Sequence, residues 1–219
     1  MVDYTKRPAP AATAPATAAV SLSKVTLTKA SPSVSLTKGA GASGQLRVNL
    51  SWSPGVPAKG LFKRGGGQVD LDLACLYELA DGRKGVVQAL GNAFGSLDRA
   101  PWILLDGDDR SGSYDGGENL LFNLSHLDQI RRVLVFAFIY EGVPAWDRAD
   151  GVVTIFPQGA APIEIRLDES SPARTCALAM LENDGHGLAI KREVRYVDGS
   201  QSALDRAYGW GMDWTPGRK

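Results

Sequence analysis

Apolar and polar side chains alternate along much of the chain, the period of a strand with one buried face. Over residues 46–52, Leu46, Val48, Leu50 and Trp52 share one face, and Arg47, Asn49 and Ser51 the other. Over residues 69–79 the apolar face holds Leu71, Leu73, Cys75, Tyr77 and Leu79, and Asp70 and Asp72 point together from the opposite one. A V-[ST]-L-[ST]-K pattern occurs at 20–24, 25–29 and 34–38 and predicts one or two edge strands. Its lysines, Lys24, Lys29 and Lys38, would discourage edge-to-edge pairing; a functional basic patch is the alternative.

Further strands are predicted over 85–90, 152–156, 163–167, 175–181 and 188–194, with NDGHG at 183–187 as a hairpin turn. The stretch VLVFAFIY at 133–140 is apolar on both faces, as in a central strand covered on both sides. Its length and its β-branched and aromatic content favour a strand over a buried helix. Residues 125–130 suit one helical turn capped by Ser125. Residues 202–208 suit a short helix, with Leu204, Ala207 and Tyr208 on one side and Gly209 ending it. Together these elements predict an all-β fold, a β-sandwich of two antiparallel or mixed sheets with a few short helices. Trp210 and Trp214 are read as packing back onto the sandwich, with partner docking as the alternative.

The first nineteen residues, MVDYTKRPAPAATAPATAA, change the picture at the N-terminus. Pro8, Pro10 and Pro15 interrupt any apolar core of a secretory signal, so 1–19 reads as a disordered Ala/Pro-rich arm and 20–219 as one domain. Of the 219 residues 44% are hydrophobic, and 24 basic residues balance 24 acidic ones. That neutrality argues against a nucleic-acid partner. No apolar run is long enough to span a bilayer. Cys75 and Cys176 lie in apolar, strand-like stretches without zinc spacing and read as buried free thiols, a bridge between them being the other option.

The candidate chemistry centres on DGDDRSGSYDGGEN at 106–119. Asp106, Asp108, Asp109, Asp115 and Glu118 crowd one segment whose glycines, Gly112 among them, permit tight folding, and only Arg110 opposes their charge. Carboxylates brought together this way need a cation or protons among them. Oxygen-only ligands on a glycine-rich loop suit Ca²⁺ better than Mg²⁺. The spacing is not that of an EF-hand, since Arg110, Ser111 and Gly117 stand at positions five, six and twelve counted from Asp106. A solvated acidic turn is the alternative. Asp70 and Asp72 form a second candidate ligand pair; on spacing alone, two solvated aspartates at a strand edge are the favoured reading. Glu141, which closes the 133–140 strand, completes the candidate ligand set.

Catalytic constellations are sparse. His126 and His186 are the only histidines, and no nucleophile elbow, P-loop or dinucleotide-binding motif is present. A carboxylate-pair glycosidase would use Asp72 with Asp108 or Glu118, and Trp102 or Trp146 as a sugar platform; it ranks below metal binding. A calcium-dependent, lectin-like module that binds a glycan through its ion is a third class.

The sequence VSLTKG at 34–39, LSW at 50–52, the Asp70-Leu-Asp72 pair and the acidic loop together resemble the TerD family of bacterial tellurium-resistance and stress proteins, from about residue 34 to 194. The family's loop reads approximately G-D-N-x-T-G-x-G-D-G-D-D-E. Asp108, Gly112, Asp115 and Gly116 match it directly, Asp109 stands for Asn, Ser111 for Thr, and the acid at Glu118 is kept. The resemblance implies a calcium-binding sandwich with no established catalytic activity. It implies one or two Ca²⁺ held by the loop and by Asp70 and Asp72, and a cytoplasmic location reaching the inner face of the membrane. It also implies protein partners, namely a TerC-like membrane protein or other TerD-family members. Gly117 and Asn119 stand where the family carries Asp and Glu, which implies weaker calcium binding or the loss of one site.

Overall fold

The structure, a computed structural model, describes residues 23–53, 69–106, 117–139 and 146–214. The strands among them are β1 (Val25–Thr26), β2 (Ser33–Thr37), β3 (Gln45–Ser51), β4 (Leu71–Leu79), β5 (Lys84–Val87), β6 (Gly95–Ser96), β7 (Ile103–Leu105), β8 (Glu118–Asn123), β9 (Ile130–Ile139), β10 (Gly151–Pro157), β11 (Ile163–Leu167), β12 (Thr175–Asn183) and β13 (Gly187–Val197), followed by one helix, α1 (Gln201–Tyr208). They form two sheets, a seven-stranded one in the order β1-β11-β10-β3-β8-β7-β6 and a six-stranded one in the order β2-β13-β12-β9-β4-β5. Among the described pairs only β1 with β11 is parallel; the fold is the mixed-sheet β-sandwich that the alternation predicts. The Ala/Pro-rich arm at 1–19 lies outside the described residues.

One core fills the space between the sheets. Leu46, Val48 and Leu50 of β3 are fully buried there, and Trp52 nearly so, facing Leu71, Leu73 and Cys75 of β4. Burying each such aliphatic side chain stabilises the fold by about 1.5–3 kcal/mol. A second cluster lies on the outer face of the six-stranded sheet, where Leu204 of α1 and Trp210 cover Ala74, Leu76, Leu134, Phe136 and Phe138. This explains why β9 is apolar on both faces: Val133, Val135 and Ala137 enter the first core, Leu134, Phe136 and Phe138 the second.

The C-terminal segment is tied down in detail. Trp210 is fully buried, its indole N–H donates to the Tyr77 carbonyl at 3.1 Å, and the Arg132 guanidinium lies 4.1 Å from its ring centroid. The Asp205 carboxylate accepts from the backbone N–H groups of Gly211 and Met212 and from the Trp214 indole, at 2.9–3.0 Å. Gly209 ends α1 in the left-handed conformation, as predicted. Both tryptophans therefore pack back on the sandwich.

Two copies of the V-[ST]-L-[ST]-K pattern form edge strands, but of different sheets: β1 borders one and β2 the other. Lys24 pairs with Glu164 at 2.6 Å and Lys29 with Glu169 at 3.1 Å, so these lysines serve ion pairs and not an open basic patch. The helical turn is a 3₁₀ segment, Leu124–Gln129, and its cap is Asn123 instead of Ser125. The correction follows from β8, which stays extended through Asn123; that side chain then accepts the Ser125 N–H at 3.2 Å. Cys75 and Cys176 are both free and buried, and burial pushes both thiols well above the usual range.

Candidate functional site

One end of the sandwich gathers the strand termini that matter. The register pairs Leu50 with Glu118, Ser51 with Val152 and Leu71 with Ile139. The end of β3, the start of β8 and the start of β10 are thus level in one sheet, and the start of β4 and the end of β9 are level in the other. The feet of the segments that depart here are pinned by hydrogen bonds. The Trp52 indole donates to the Val69 carbonyl at 3.0 Å, and the Asp106 N–H to the Asn119 carbonyl at 2.8 Å. The Ile139 N–H donates to the Arg174 carbonyl at 2.8 Å, and the Ser53 N–H to Ala149 at 2.7 Å.

The structure describes four of the predicted ligand residues, all at this end of the sandwich. Asp72 and Glu118 are each 2% exposed, Asp70 is half-buried, and Asp106 is exposed. Glu118 faces inward because burial alternates along β8, with Leu120 and Phe122 following it into the core. Its carboxylate accepts the backbone N–H of Leu73 in the opposite sheet. β5 pairs with β4 only as far as Cys75, so beyond that point a side chain, and not a neighbouring strand, satisfies this N–H. The Glu118 carboxylate thereby lies against the peptide bond that joins Asp72 to Leu73.

The favoured expectation of two solvated aspartates fails at Asp72. That residue lies on the same face of β4 as Ala74 and Leu76 and is paired in register with Phe138. Its face is covered, so its carboxylate is taken out of water. Asp108, Asp109, Arg110, Gly112, Asp115 and Glu141 lie outside the described residues. Among the described residues no three His, Cys, Asp or Glu side chains cluster as a metal site.

The outgoing foot of the acidic segment carries two features that spacing did not reveal. Gly117 has φ +53°, and a Cβ there would lie 2.3 Å from the Leu50 carbonyl oxygen, so the backbone approaches β3 as only glycine allows. Asn119, on the outer face of β8, accepts from Arg47 Nη1 at 3.1 Å and Asn49 Nδ2 at 3.0 Å, both on β3. Asn49 and Asn119 are direct partners in the ladder. The signal available in the sequence was the polar face of residues 46–52, but pairing it with Asn119 needs the register.

The proposed sugar platforms do not face these carboxylates. Trp146 is fully buried, with its indole N–H on the Ala173 carbonyl at 2.7 Å. Trp102 stacks on His126 with ring centroids 4.9 Å apart, at the opposite end of β7 from Asp106. His186 is exposed in the β12–β13 turn, where the Asp184 carboxylate accepts its N–H at 2.8 Å.

Fold and site define a two-sheet, mixed β-sandwich with buried carboxylates at the end where the acidic, glycine-rich stretch of the sequence departs. No family model matches the chain. It is 46% identical over 192 residues, 86% of its length, to "Tellurium resistance protein TerA" from an Alcaligenes species, of which it covers 56%. The chain thus spans about half the length of the curated relative it matches. A crystal structure of a protein of unknown function, SAV2460, aligns with a TM-score of 0.56 and 18% identity, covering 77% of this chain and 98% of that one. A homologue of telluride resistance protein (TerD) from Streptomyces coelicolor A3(2) aligns with a TM-score of 0.49 and 22% identity, covering 74% of this chain and 94% of that one. The chain belongs to the TerD-type tellurium-resistance family, as its repeat and loop motifs imply.

Proposed function

We propose that this protein is a non-enzymatic Ca²⁺-binding member of the tellurite-resistance and stress-response type, whose acidic loop end organises a surface for a protein partner. The observation that supports the reading is the buried carboxylate of Glu118, which accepts the N–H of Leu73, the neighbour of buried Asp72 in the opposite sheet, at the end where β7 and β8 flank the acidic segment. The donor set fits a hard divalent cation: it is all oxygen, it is charged, and one carboxylate is held by a backbone N–H, as ligating carboxylates commonly are. Glu118, Asp72 and Asp70 would hold the ion from the strand ends, and Asp106, Asp108, Asp109, Asp115 and Glu141 from the connecting segments. Bound calcium would neutralise the crowded acids and stabilise the folded state by mass action.

Partners of this reading are other Ter-family proteins or a TerC-like membrane protein, met in the cytoplasm at the inner face of the membrane. Among the described residues no helix is long and apolar enough to cross a membrane. Calorimetric titration of the chelator-stripped chain with calcium chloride tests the proposal. Saturable binding is expected at millimolar calcium or below, and an absence of heat at that concentration refutes it.

A further inference from the structure

The outer strands of the two sheets differ in what they offer to a further strand. The seven-stranded sheet ends in β1 and β6, of two residues each, too short to template a neighbour. The six-stranded sheet ends in β5 and β2. The C-terminal segment borders β5: Lys84 Nζ donates to the Trp210 carbonyl at 2.7 Å, and Met212 and Trp214 line a cleft beside it with Val86 and Leu90. β2 is five residues long, contains no proline, glycine or charge, and pairs with β13 without a register shift. Among the described residues no strand lies on its other side. Natural edges are usually protected from pairing by the devices that β2 lacks. The lysine of this copy of the motif, Lys38, stands beyond the strand end and does not interrupt it.

The ladder fixes which main-chain groups face outward. The Arg192 N–H donates to the Pro32 carbonyl at 2.7 Å, so Val34 and Leu36 turn their N–H and C=O groups to β13, and Ser33, Ser35 and Thr37 turn theirs away from it. Leu36 is buried in the core and Val34 half-buried against it, while Ser33, Ser35 and Thr37 are exposed on the outer face. We propose that the free edge of β2 is the interface of a two-fold dimer, in which β2 of a second copy adds antiparallel with Ser35 opposite Ser35. A strand that docks on its own copy must be self-complementary, and this one is. Ser35 exchanges both main-chain hydrogen bonds with its copy, and the Thr37 N–H reaches the Ser33 carbonyl of the second chain; the Thr37 carbonyl is already taken by the Ala40 and Ala42 N–H groups. On the outer side hydroxyl faces hydroxyl, Ser33 against Thr37, and on the core side Val34 packs against Leu36, which covers the open half of Val34. Lys38 meets Pro32 and not a second charge, and Ala189 is the ladder partner of Ser35, so the row through the axis carries no charge. Five residues a side, against about 20–30 in a standard interface, make the dimer weak and dependent on concentration. The proposal is independent of the calcium reading.

Sedimentation equilibrium of the full chain should show the mean mass rising with submillimolar protein concentration towards twice that of one chain; a mean mass that stays at one chain throughout overturns the proposal. Ser35→Lys puts two ammonium groups face to face across the axis, at a position exposed in the single chain. It should abolish the rise and leave the melting temperature of the dilute chain unchanged. Undiminished association in this variant means that another surface carries the dimer and overturns the assignment to β2. Single cysteines read the register. Ser35 and its copy form a hydrogen-bonded pair with Cα atoms about 5.5 Å apart, within disulfide range. Ser33 and its copy lie about 13 Å apart along the junction. In oxidised glutathione Ser35→Cys should therefore give a disulfide-linked dimer and Ser33→Cys should not; Cys75 and Cys176 are buried and leave the assay clear. Equal cross-linking of both variants, or none in Ser35→Cys, overturns the proposal.

Discussion

Replacing Trp210 with alanine separates a structural tryptophan from a docking one. The side chain is fully buried among Leu76, Leu134, Phe136 and Leu204. Truncating a buried aromatic to alanine costs about 3–5 kcal/mol, depending on how far the site collapses. Here collapse is resisted from both sides, by the sheet below and by Arg132 above the ring at 4.1 Å. The lost indole donor also leaves the Tyr77 carbonyl without its 3.1 Å bond. An effect near the upper end, about 4–5 kcal/mol, is therefore expected. For a domain of this size each kcal/mol corresponds to about 2–4 °C, so melting should fall by about 8–20 °C. Urea unfolding provides the assay, with the midpoint falling and the slope unchanged. Trp210→Phe keeps most of the volume and the cation–π contact but loses the hydrogen bond, and should cost about 1–2 kcal/mol. An alanine variant that loses less than about 1 kcal/mol would show that the C-terminal segment is only laid against the sheet, and would restore the docking reading.

Glu118→Gln keeps an acceptor for the Leu73 N–H while removing the charge. At calcium a hundredfold above the dissociation constant the wild type should gain about 2.7 kcal/mol, or about 5–11 °C, over its chelator-treated form. The variant should lose more than half of that gain in the same melts, and an undiminished gain would remove Glu118 from the site. A pH dependence should come from Glu78, whose carboxylate is 4% exposed and bridges Arg131 and Arg132, each at 2.7 Å. Burial pushes its carboxyl up, but the hydrogen bond and charge of Arg132, with the charges of Arg131 and Lys84, outweigh it and hold it below its ordinary value of 4.5. A depressed carboxylate contributes stability above its ordinary value and loses it as pH falls through the lowered one. Glu78→Gln should therefore be less stable than wild type near neutrality, and the two urea midpoints should converge as pH falls below the ordinary carboxylate range and through the lowered Glu78 value. A gap that persists in acid would mean that packing, not charge, sets the difference.

The fold was legible because its strands obey a period of two almost without exception. The face of β3 that carries Leu46, Val48, Leu50 and Trp52 is buried as read. The doubly apolar β9 is the central strand its composition predicts, between β12 and β4. What alternation does not report is whether the second face of a strand is covered. Asp72 looked solvated because its neighbours in sequence end at a polar edge. It is 2% exposed, on the covered outer face of β4 beside Phe138 of β9, a neighbour more than sixty residues away in the chain. The same limit hid the Asn119 clamp, whose donors come from β3 and whose pairing exists only once β3 and β8 are in register. The acidic cluster, by contrast, is a property of contiguous residues, and so it could be seen at once.

The two sheets meet the loop end differently, and this gives the proposed ion a mechanical consequence. The seven-stranded sheet supplies Glu118 and, through Asn119, the clamp to β3; the six-stranded sheet supplies Asp70, Asp72 and the N–H of Leu73. Glu118 is thus a contact between sheets as well as a candidate ligand. A cation held by Glu118 would sit where the ends of β8 and β4 meet through the Leu73 N–H, strands that are not neighbours in either sheet. Calcium would then act on the sandwich as a whole: its removal would leave the acids repelling one another across the inter-sheet seam. That arrangement favours a response in global stability over a local ordering of the loop alone. Hydrogen exchange distinguishes the two, since calcium should slow exchange at amides such as Leu134 and Leu181, in the middle of the six-stranded sheet, as well as at Asp106 and Asn119. Protection confined to the loop feet would mean that the ion closes the connection without tying the sheets.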